Sequence, residues 1–395
     1  MWRLPRALLP IYGTTLADTL GYTMMIPLLP AVIRQYHASD VMVGALLSVP
    51  ALCSMVAAPI WGKFSDRLGR KPIIILAQVL TLVGYVAQAL SHSLLLIFIA
   101  RILSGCGGGS LGAVESYIAD VTAKEQRDTA YSLYGAVFGM AFIVGPASAA
   151  FLMKHGIELP FFVAAAIEAF NIGFTAWLIP GKMQAKKQQK TSFLESLRAA
   201  NVPGVRLVLI RQFLAIFAIV FFLANFALYL HHVLHSAVTQ VGWLLSVAGA
   251  IGGIALIFVV TPLAARIGDR GVAQLGLILS FAAYGLLAFV SDVTVFCVVL
   301  VIWAVGSSMV EPTLTAILSI RAKRSERGAI MGVSDSINSL AMILGPAAGS
   351  AIVGYNARLL GVIPACAVLG AFVLGRVPVA RAEQDESPAA SRKAG

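Results

Sequence analysis

Twelve apolar runs of membrane-crossing length, separated by short polar breaks, leave few folds open to this chain. They lie near residues 7–33, 41–61, 72–90, 94–118, 129–153, 160–180, 205–231, 240–263, 273–290, 294–319, 329–353 and 359–376. A bilayer core about 30 Å thick takes ~20 apolar residues per helix, and a chain in lipid must satisfy its backbone polar groups internally. Transmembrane strands would be about half as long and would alternate in polarity, which these runs do not. Hydrophobic residues make up 59% of the chain and charged ones 12%. That is about half the charged share of a soluble domain. The expected fold class is an all-α integral membrane protein with twelve transmembrane helices.

The runs also repeat. Val43-Gly44-Ala45-Leu46-Leu47-Ser48-Val49 returns as Val241-Gly242-Trp243-Leu244-Leu245-Ser246-Val247, and Gly145-Pro146-Ala147 returns as Gly345-Pro346-Ala347. A third echo aligns Pro59 through Arg67 with Pro262 through Arg270, at an offset of 203 against 198 and 200 for the others. Duplication in parallel predicts two pseudo-symmetric six-helix bundles, with a substrate site between them near the bilayer midplane, the plan of a secondary transporter. The boundaries read as a first bundle at 1–180, a cytoplasmic linker at 181–204, a second bundle at 205–376 and a disordered tail at 377–395. The linker carries Lys182, Lys186, Lys187, Lys190 and Arg198 around a short amphipathic stretch, and the tail has too few apolar residues to fold.

The net charge of +11 raises nucleic acid as a partner, but the distribution of that charge argues against it. All but four of the 29 Lys and Arg fall in the amino terminus, the even-numbered connections, the adjoining span ends and the carboxyl tail; the exceptions are Arg34, Arg101, Lys154 and Arg358. The positive-inside rule then places both termini in the cytoplasm of a multi-pass inner-membrane protein, with basic residues available to anionic lipid. The first run follows Arg3 and Arg6 as a signal peptide would. Its length, Asp18 within it and the lack of a small-residue cleavage site make it the first span instead. Cys53, Cys106, Cys297 and Cys366 are scattered singly, without disulfide or metal-ligand spacing. Neither a nucleotide-binding loop nor a nucleophile–base constellation occurs, which argues against an ATP-driven pump and an enzyme alike.

Polar residues inside the runs are the functional candidates, because each is costly in hydrocarbon. Asp18 lies near the middle of the first span. On the fourth, Arg101, Gly105, Gly108, Gly112 and Glu115 recur at steps of 4, 3, 4 and 3, forming one stripe with a charge at each end. Arg101 is the expected partner of Asp18, and a buried acid beside a guanidinium makes a site able to exchange a proton. Between spans two and three stands G-K-F-S-D-R-L-G-R-K, from Gly62 to Lys71, and A-D-V-T closes span four at Ala119–Thr122. Gly135, Gly139, Gly145 and Pro146 on span five, with Gly345 and Pro346 on span eleven, should bend those helices where the bundles meet.

With these motifs the chain resembles a transporter of the major facilitator superfamily, in the twelve-span drug:proton antiporter group that includes the tetracycline exporters. The resemblance covers nearly the whole chain. It implies a cytoplasmic gate built from Gly62, Asp66, Arg67, Gly69, Arg70, Lys71 and Asp120, and a proton-coupling set of Asp18, Arg101 and Glu115. Spans one, four, seven and ten line the cavity of that family. This points to Tyr22, Phe222, Asn225, Tyr229, Trp303, Ser307 and Glu311 as substrate-binding residues. Glu168 and Asp335 are open between functional and structural roles, and His231, His232 and His235 read as a polar helix end rather than a metal site. The second glycine pair of the antiporter motif is missing, and Ser280 stands where tetracycline exporters carry an acid. The resemblance implies proton-coupled export of small amphipathic compounds by alternating access; a metabolite or siderophore permease importing by symport is the other reading left open. The expected partners are a small-molecule substrate and membrane lipid, with no nucleic acid, no metal, no cofactor beyond the coupling proton, and a monomeric state.

Overall fold

The computed structural model describes residues 8–109, 111–122, 126–179, 200–322 and 326–377. The expected linker, apart from its last five residues, and the expected tail, apart from Val377, lie outside them. The described residues are helical almost throughout, with no strand. In the first half α1 is Leu9–Gln35, α2 Asp40–Leu68, α3 Arg70–Ala89, α4 Leu94–Gly108, α5 Leu111–Val121, α6 Arg127–Leu152 and α7 Leu159–Leu178. In the second, α8 is Pro203–Leu234, α9 Val238–Ala255, α10 Thr261–Leu286, α11 Val293–Arg321, α12 Arg327–Tyr355 and α13 Val362–Leu374.

Eleven helices among the described residues are long and apolar enough to cross a membrane, α4 and α5 together forming one of them. One of the eleven, Thr239–Phe289, runs for 51 residues. That is about 75 Å at 1.5 Å per residue, far more than a bilayer core. Gly268, at φ 74° and ψ 160°, breaks it. The start of α10 therefore completes the eighth crossing and its remainder makes the ninth, giving twelve. Helix starts use short polar side chains where the chain leaves the apolar zone. Ser93 Oγ accepts from Leu96 N at the head of α4. Asp292 accepts from Thr294 N and Val295 N at the head of α11. Those backbone N–H groups hold the Asp292 carboxyl below the ordinary aspartate value.

The duplication is visible in the backbone. Gly69 and Gly268 turn the second crossing of each half into the third at φ 94° and 74°, and His37 and His235 follow the first crossing of each half at φ 50°. These pairs are 199 and 198 residues apart, which corrects the offset of 203 for the third echo by one helical turn. In the corrected register Ala265 stands opposite Asp66, so the second half lacks the first half's motif carboxylate.

Each half packs by the same plan. α1 lies on α6 and α7 while α3 lies on α4 and α7; correspondingly, α8 lies on α12 and α13 while α10 lies on α11 and α13. The halves meet through α2 on α12 and through α6 on α9. The contact residues are those of the two opening echoes. A Cβ on Gly44 would overlap the Pro346 carbonyl and Ser350, and one on Gly242 would fall 2.6 Å from the Pro146 carbonyl. Each glycine thus lets a backbone of its own half rest on the Gly-Pro helix of the other.

All of these contacts lie in the half of the molecule remote from the chain termini. Ser48 Oγ donates to Ile343 O at 2.6 Å there. Still farther out, His232 meets Asp40 at 2.7 Å and Arg34 meets His231, tying α8 to α1 and α2. Toward the terminus-bearing end, a Cβ on Gly135, Gly139, Gly328 or Gly332 would meet nothing within 4 Å. The contacts between the halves thus gather at the far end, while open space flanks these four glycines toward the terminus-bearing end.

Candidate functional site

The sequence motifs fall in three places. At the terminus-bearing end of the first half, Arg70 donates to Asp120 at 3.3 Å, to Asp66 at 3.2 Å and to Ser65 at 2.9 Å, joining α2, α3 and α5. Gly69 supplies the left-handed turn that delivers Arg70 to this position. Lys71 Nζ donates to Ala176 O at the last turn of α7, where a cation complements the helix dipole. Arg67 is exposed, and Gly62 has open space beside it. The partners named here all belong to the first half. Arg70→Ala strands Asp120, whose side chain is 8% exposed. The expected loss is about 3 kcal/mol of stability, read as a lowered melting temperature in detergent, with Asp66→Asn costing less because its carboxylate is one-third exposed.

The second place is the cleft between the halves. Glu115 on α5 is an electrostatic neighbour of Asp335 on α12, and Glu311 on α11 is another. Asp335 thus has a carboxyl neighbour from each half, with Tyr131 donating its hydroxyl to the Glu115 carbonyl alongside. Asp335, unassigned by sequence, is the central member. Ser307 lies half-buried one turn from Glu311 and back-bonds to Ala304 O.

The aromatic face expected to line this cleft is instead closed within the second half. Phe222 is 1% exposed and Tyr229 and Asn225 are 0% exposed. Phe222 packs against Trp303, Tyr284 and Phe226 with ring centroids 5.0 to 5.7 Å apart. Trp303 Nε1 donates to Tyr284 Oη at 2.9 Å, Tyr229 Oη to Leu287 O at 2.7 Å and Asn225 Nδ2 to Phe221 O at 2.8 Å. The i, i+4 rings gain more from edge-on packing within their own half than from facing a cavity, and the Trp303, Tyr229 and Asn225 donors are satisfied there. The three histidines also divide: His231 and His232 bond to the first half, and no group of metal-ligating side chains occurs among the described residues. Cys53 and Cys106, far apart in sequence, lie side by side as free thiols between α2 and α4.

The third place is inside the first half. Arg101 is 2% exposed, and its Nε donates to Leu46 O at 2.9 Å. The expected Asp18–Arg101 ion pair does not form. Arg101 faces the hydroxyls of Tyr22 and Tyr85, while Asp18 faces Glu168 of α7. Tyr85 separates them: its hydroxyl reaches the Asp18 backbone carbonyl at 3.4 Å, and it occupies the space left by Gly21. Gly105 rests on Pro50, so the glycine stripe of α4 is also a packing seam against α2.

Sequence reasoning missed Tyr85 and left Glu168 undecided, although a signal existed. Gln78, Thr81, Tyr85 and Gln88 recur on α3 at steps of 3, 4 and 3, and Glu168, Asn171 and Thr175 recur on α7 at 3 and 4. Each is a polar stripe at helical spacing on an apolar span. They meet Thr14 of α1: Gln78 Nε2 donates to Thr14 Oγ1 and to Thr175 Oγ1, and Asn171 Nδ2 donates to Thr14 Oγ1, all at 3.1 Å.

Relatives of known name share this plan. The chain is 28% identical over 344 residues to the class B tetracycline resistance protein of Escherichia coli, covering 84% of each. It is 24% identical over 349 residues to multidrug resistance protein 2 of Bacillus subtilis, covering 85% of this chain and 86% of that one. Among solved structures, a bacterial homolog of the human lysosomal transporter Spinster, inward-facing and unoccupied, superposes with a TM-score of 0.78 at 15% identity, covering 93% of this chain and 95% of the other. The human organic anion transporter MFSD10 gives 0.71 at 19% identity, covering 94% and 100%. The chain matches the Major Facilitator Superfamily over residues 11–233 and 208–394, and it is a membrane transporter of that family.

Proposed function

We propose that this transporter expels small amphipathic compounds in exchange for protons, by alternating access. The observation that carries the proposal is Asp18. It sits on the first crossing with one carboxyl oxygen buried and unpartnered and, among the described residues, no cation against it. An acid held so in an apolar bundle is a place to bind and release a proton. The parted terminus-bearing end and sealed far end supply one of the two states that exchange requires. The cleft carboxyls Glu115, Glu311 and Asp335 suit compounds carrying positive charge. The likeness to proteins named for tetracycline and multidrug resistance, over most of the length on both sides, favours export.

In this reading the protein lies in a bacterial inner membrane with both termini cytoplasmic, so the open cleft faces the cytoplasm. The halves, at 1–180 and 205–376, rock against each other about the α2–α12 and α6–α9 contacts. Inward movement of each proton down a potential supplies about 2.3 kcal/mol per 100 mV, with no need of ATP. The test is accumulation of tetracycline and ethidium in a pump-deficient host. Expression should lower accumulation and a protonophore should restore it. Accumulation that rises on expression would replace export with uptake.

A further inference from the structure

We propose that Asp18 and Glu168 form one proton-binding pair, and that this pair, rather than an Asp18–Arg101 ion pair, loads and unloads the coupling proton. The inference rests on the proton-coupled reading above and names a second residue for it. The register of α1 against α7 places the two acids together. Asn171 is hydrogen-bonded to Thr14, and the helices run in opposite directions. One turn onward from Thr14 is Asp18; one turn back from Asn171 is Glu168. The two carboxyls are electrostatic neighbours, as this register requires.

Glu168 is fully buried, and neither of its carboxyl oxygens has a hydrogen-bond partner; Oδ1 of Asp18 has none either. The titratable groups that face the pair are tyrosines. Tyr85 of α3 and Tyr134 of α6 face Asp18, and Tyr85 also faces Glu168. Arg101 reaches Tyr85 but not the acids. Among the described residues no charged group from α2, α5, α8 or α9 stands against the pair. Two negative charges in apolar surroundings without a cation are strongly unfavourable, and one proton shared between them removes the conflict. The proton is held by one carboxyl or the other, so that at most one of the two acids is charged at a time. Asp18 is partly accessible whereas Glu168 is enclosed, so exchange with water passes through Asp18.

Thr14, Gln78, Asn171 and Thr175 form the floor of this pocket, one turn nearer the termini. Their mutual hydrogen bonds fix α1, α3 and α7 without supplying a cation. Tyr85 then gives the pair a contact to Arg101 and Tyr22, which lie on the route toward the seam between α2 and α4. A change in protonation of the pair can thereby reach the crossing formed by α4 and α5, which carries Glu115.

The experiment compares Asp18→Asn, Glu168→Gln, the double variant and Glu168→Asp in proteoliposomes, with tetracycline as test compound. Gradient-driven accumulation and gradient-free exchange are both read. The C=O stretch of protonated carboxyls is followed by infrared titration of the purified protein, which needs no substrate. Each single neutralisation should lower gradient-driven accumulation at least about a hundred-fold, leave exchange in place and shift the same carboxyl band, and the double variant should be no worse than the weaker single. Glu168→Asp should recover part of the accumulation. The proposal is overturned if Glu168→Gln accumulates like the parent, if the two losses multiply, or if exchange is lost and Glu168→Asp restores nothing, which makes Glu168 a structural residue. Should Asp18→Asn itself keep full gradient-driven accumulation and the carboxyl band, the proton-coupled reading falls together with the pair.

Discussion

Asp18→Asn should abolish transport driven by a pH gradient while leaving substrate binding and gradient-free exchange intact. The amide keeps the size and one acceptor oxygen of the acid but can neither take up nor release a proton, so the coupled step disappears instead of slowing. The expected loss is at least about a hundred-fold in gradient-driven rate. Folding should survive, because Asp18 holds no ion pair whose rupture would strand a charge, and its unpartnered oxygen is already unsatisfied. Arg101→Ala should behave differently. It removes the donor to the Leu46 carbonyl, which fixes α4 on α2, and it leaves Tyr22 and Tyr85 facing a void. Loss of both driven transport and exchange, with a lowered melting temperature, is expected there. Equal phenotypes for the two variants would show that the residues act as one unit despite their separation by Tyr85.

The second large effect concerns the far-end seal. Gly44→Val and Gly242→Val place side chains where the carbonyls of Pro346 and Pro146 now lie, one on each side of the pseudo-twofold. Backbone cannot give way as the tip of a flexible side chain would. Overpacking costs about 1–3 kcal/mol per site, and the double variant should therefore shift the balance between the two states by at least about thirty-fold. Cysteine labelling from the far side should rise sharply, with driven transport falling at least ten-fold. Bulky residues at Gly135 or Gly139 meet open space in this state. They should leave far-end labelling unchanged and hold the terminus-bearing end open, the opposite bias.

Gly44 and Gly242 also show what was legible in the sequence. Their echo announced the duplication, and the same residues prove to be the surfaces on which the halves meet. Low side-chain bulk beside a Gly-Pro bend is a local pattern, so it survives in the linear text. The Arg70 network was legible for the same reason, since Gly62 to Lys71 is one continuous stretch and Asp120 ends an identifiable span. The partner of Asp18 was not. Asp18, Tyr85, Arg101 and Glu168 come from four crossings, and a choice between Arg101 and Glu168 depends on rotations of α3 and α7 that no motif encodes. The aromatic residues Phe222, Tyr229 and Trp303 were misplaced for a related reason. Helical spacing puts residues on one face without saying whether that face meets a cleft or its own bundle, and here ring packing with Tyr284 and Phe296 decided it. The third echo slipped because a proline was aligned with a proline. The turn glycines Gly69 and Gly268 carry the true equivalence, for their positive φ is what the backbone needs.

Coupling itself is tested most directly by following protons and compound together. Purified protein is reconstituted in vesicles holding a trapped pH indicator, and a gradient of a compound shown by the cell assay to be expelled is imposed without a pH gradient. The account predicts proton movement opposite to the compound, at a fixed ratio, and none in Asp18→Asn vesicles that still exchange the compound. Protons moving in the same direction as the compound, or compound crossing with no proton movement at all, would contradict it.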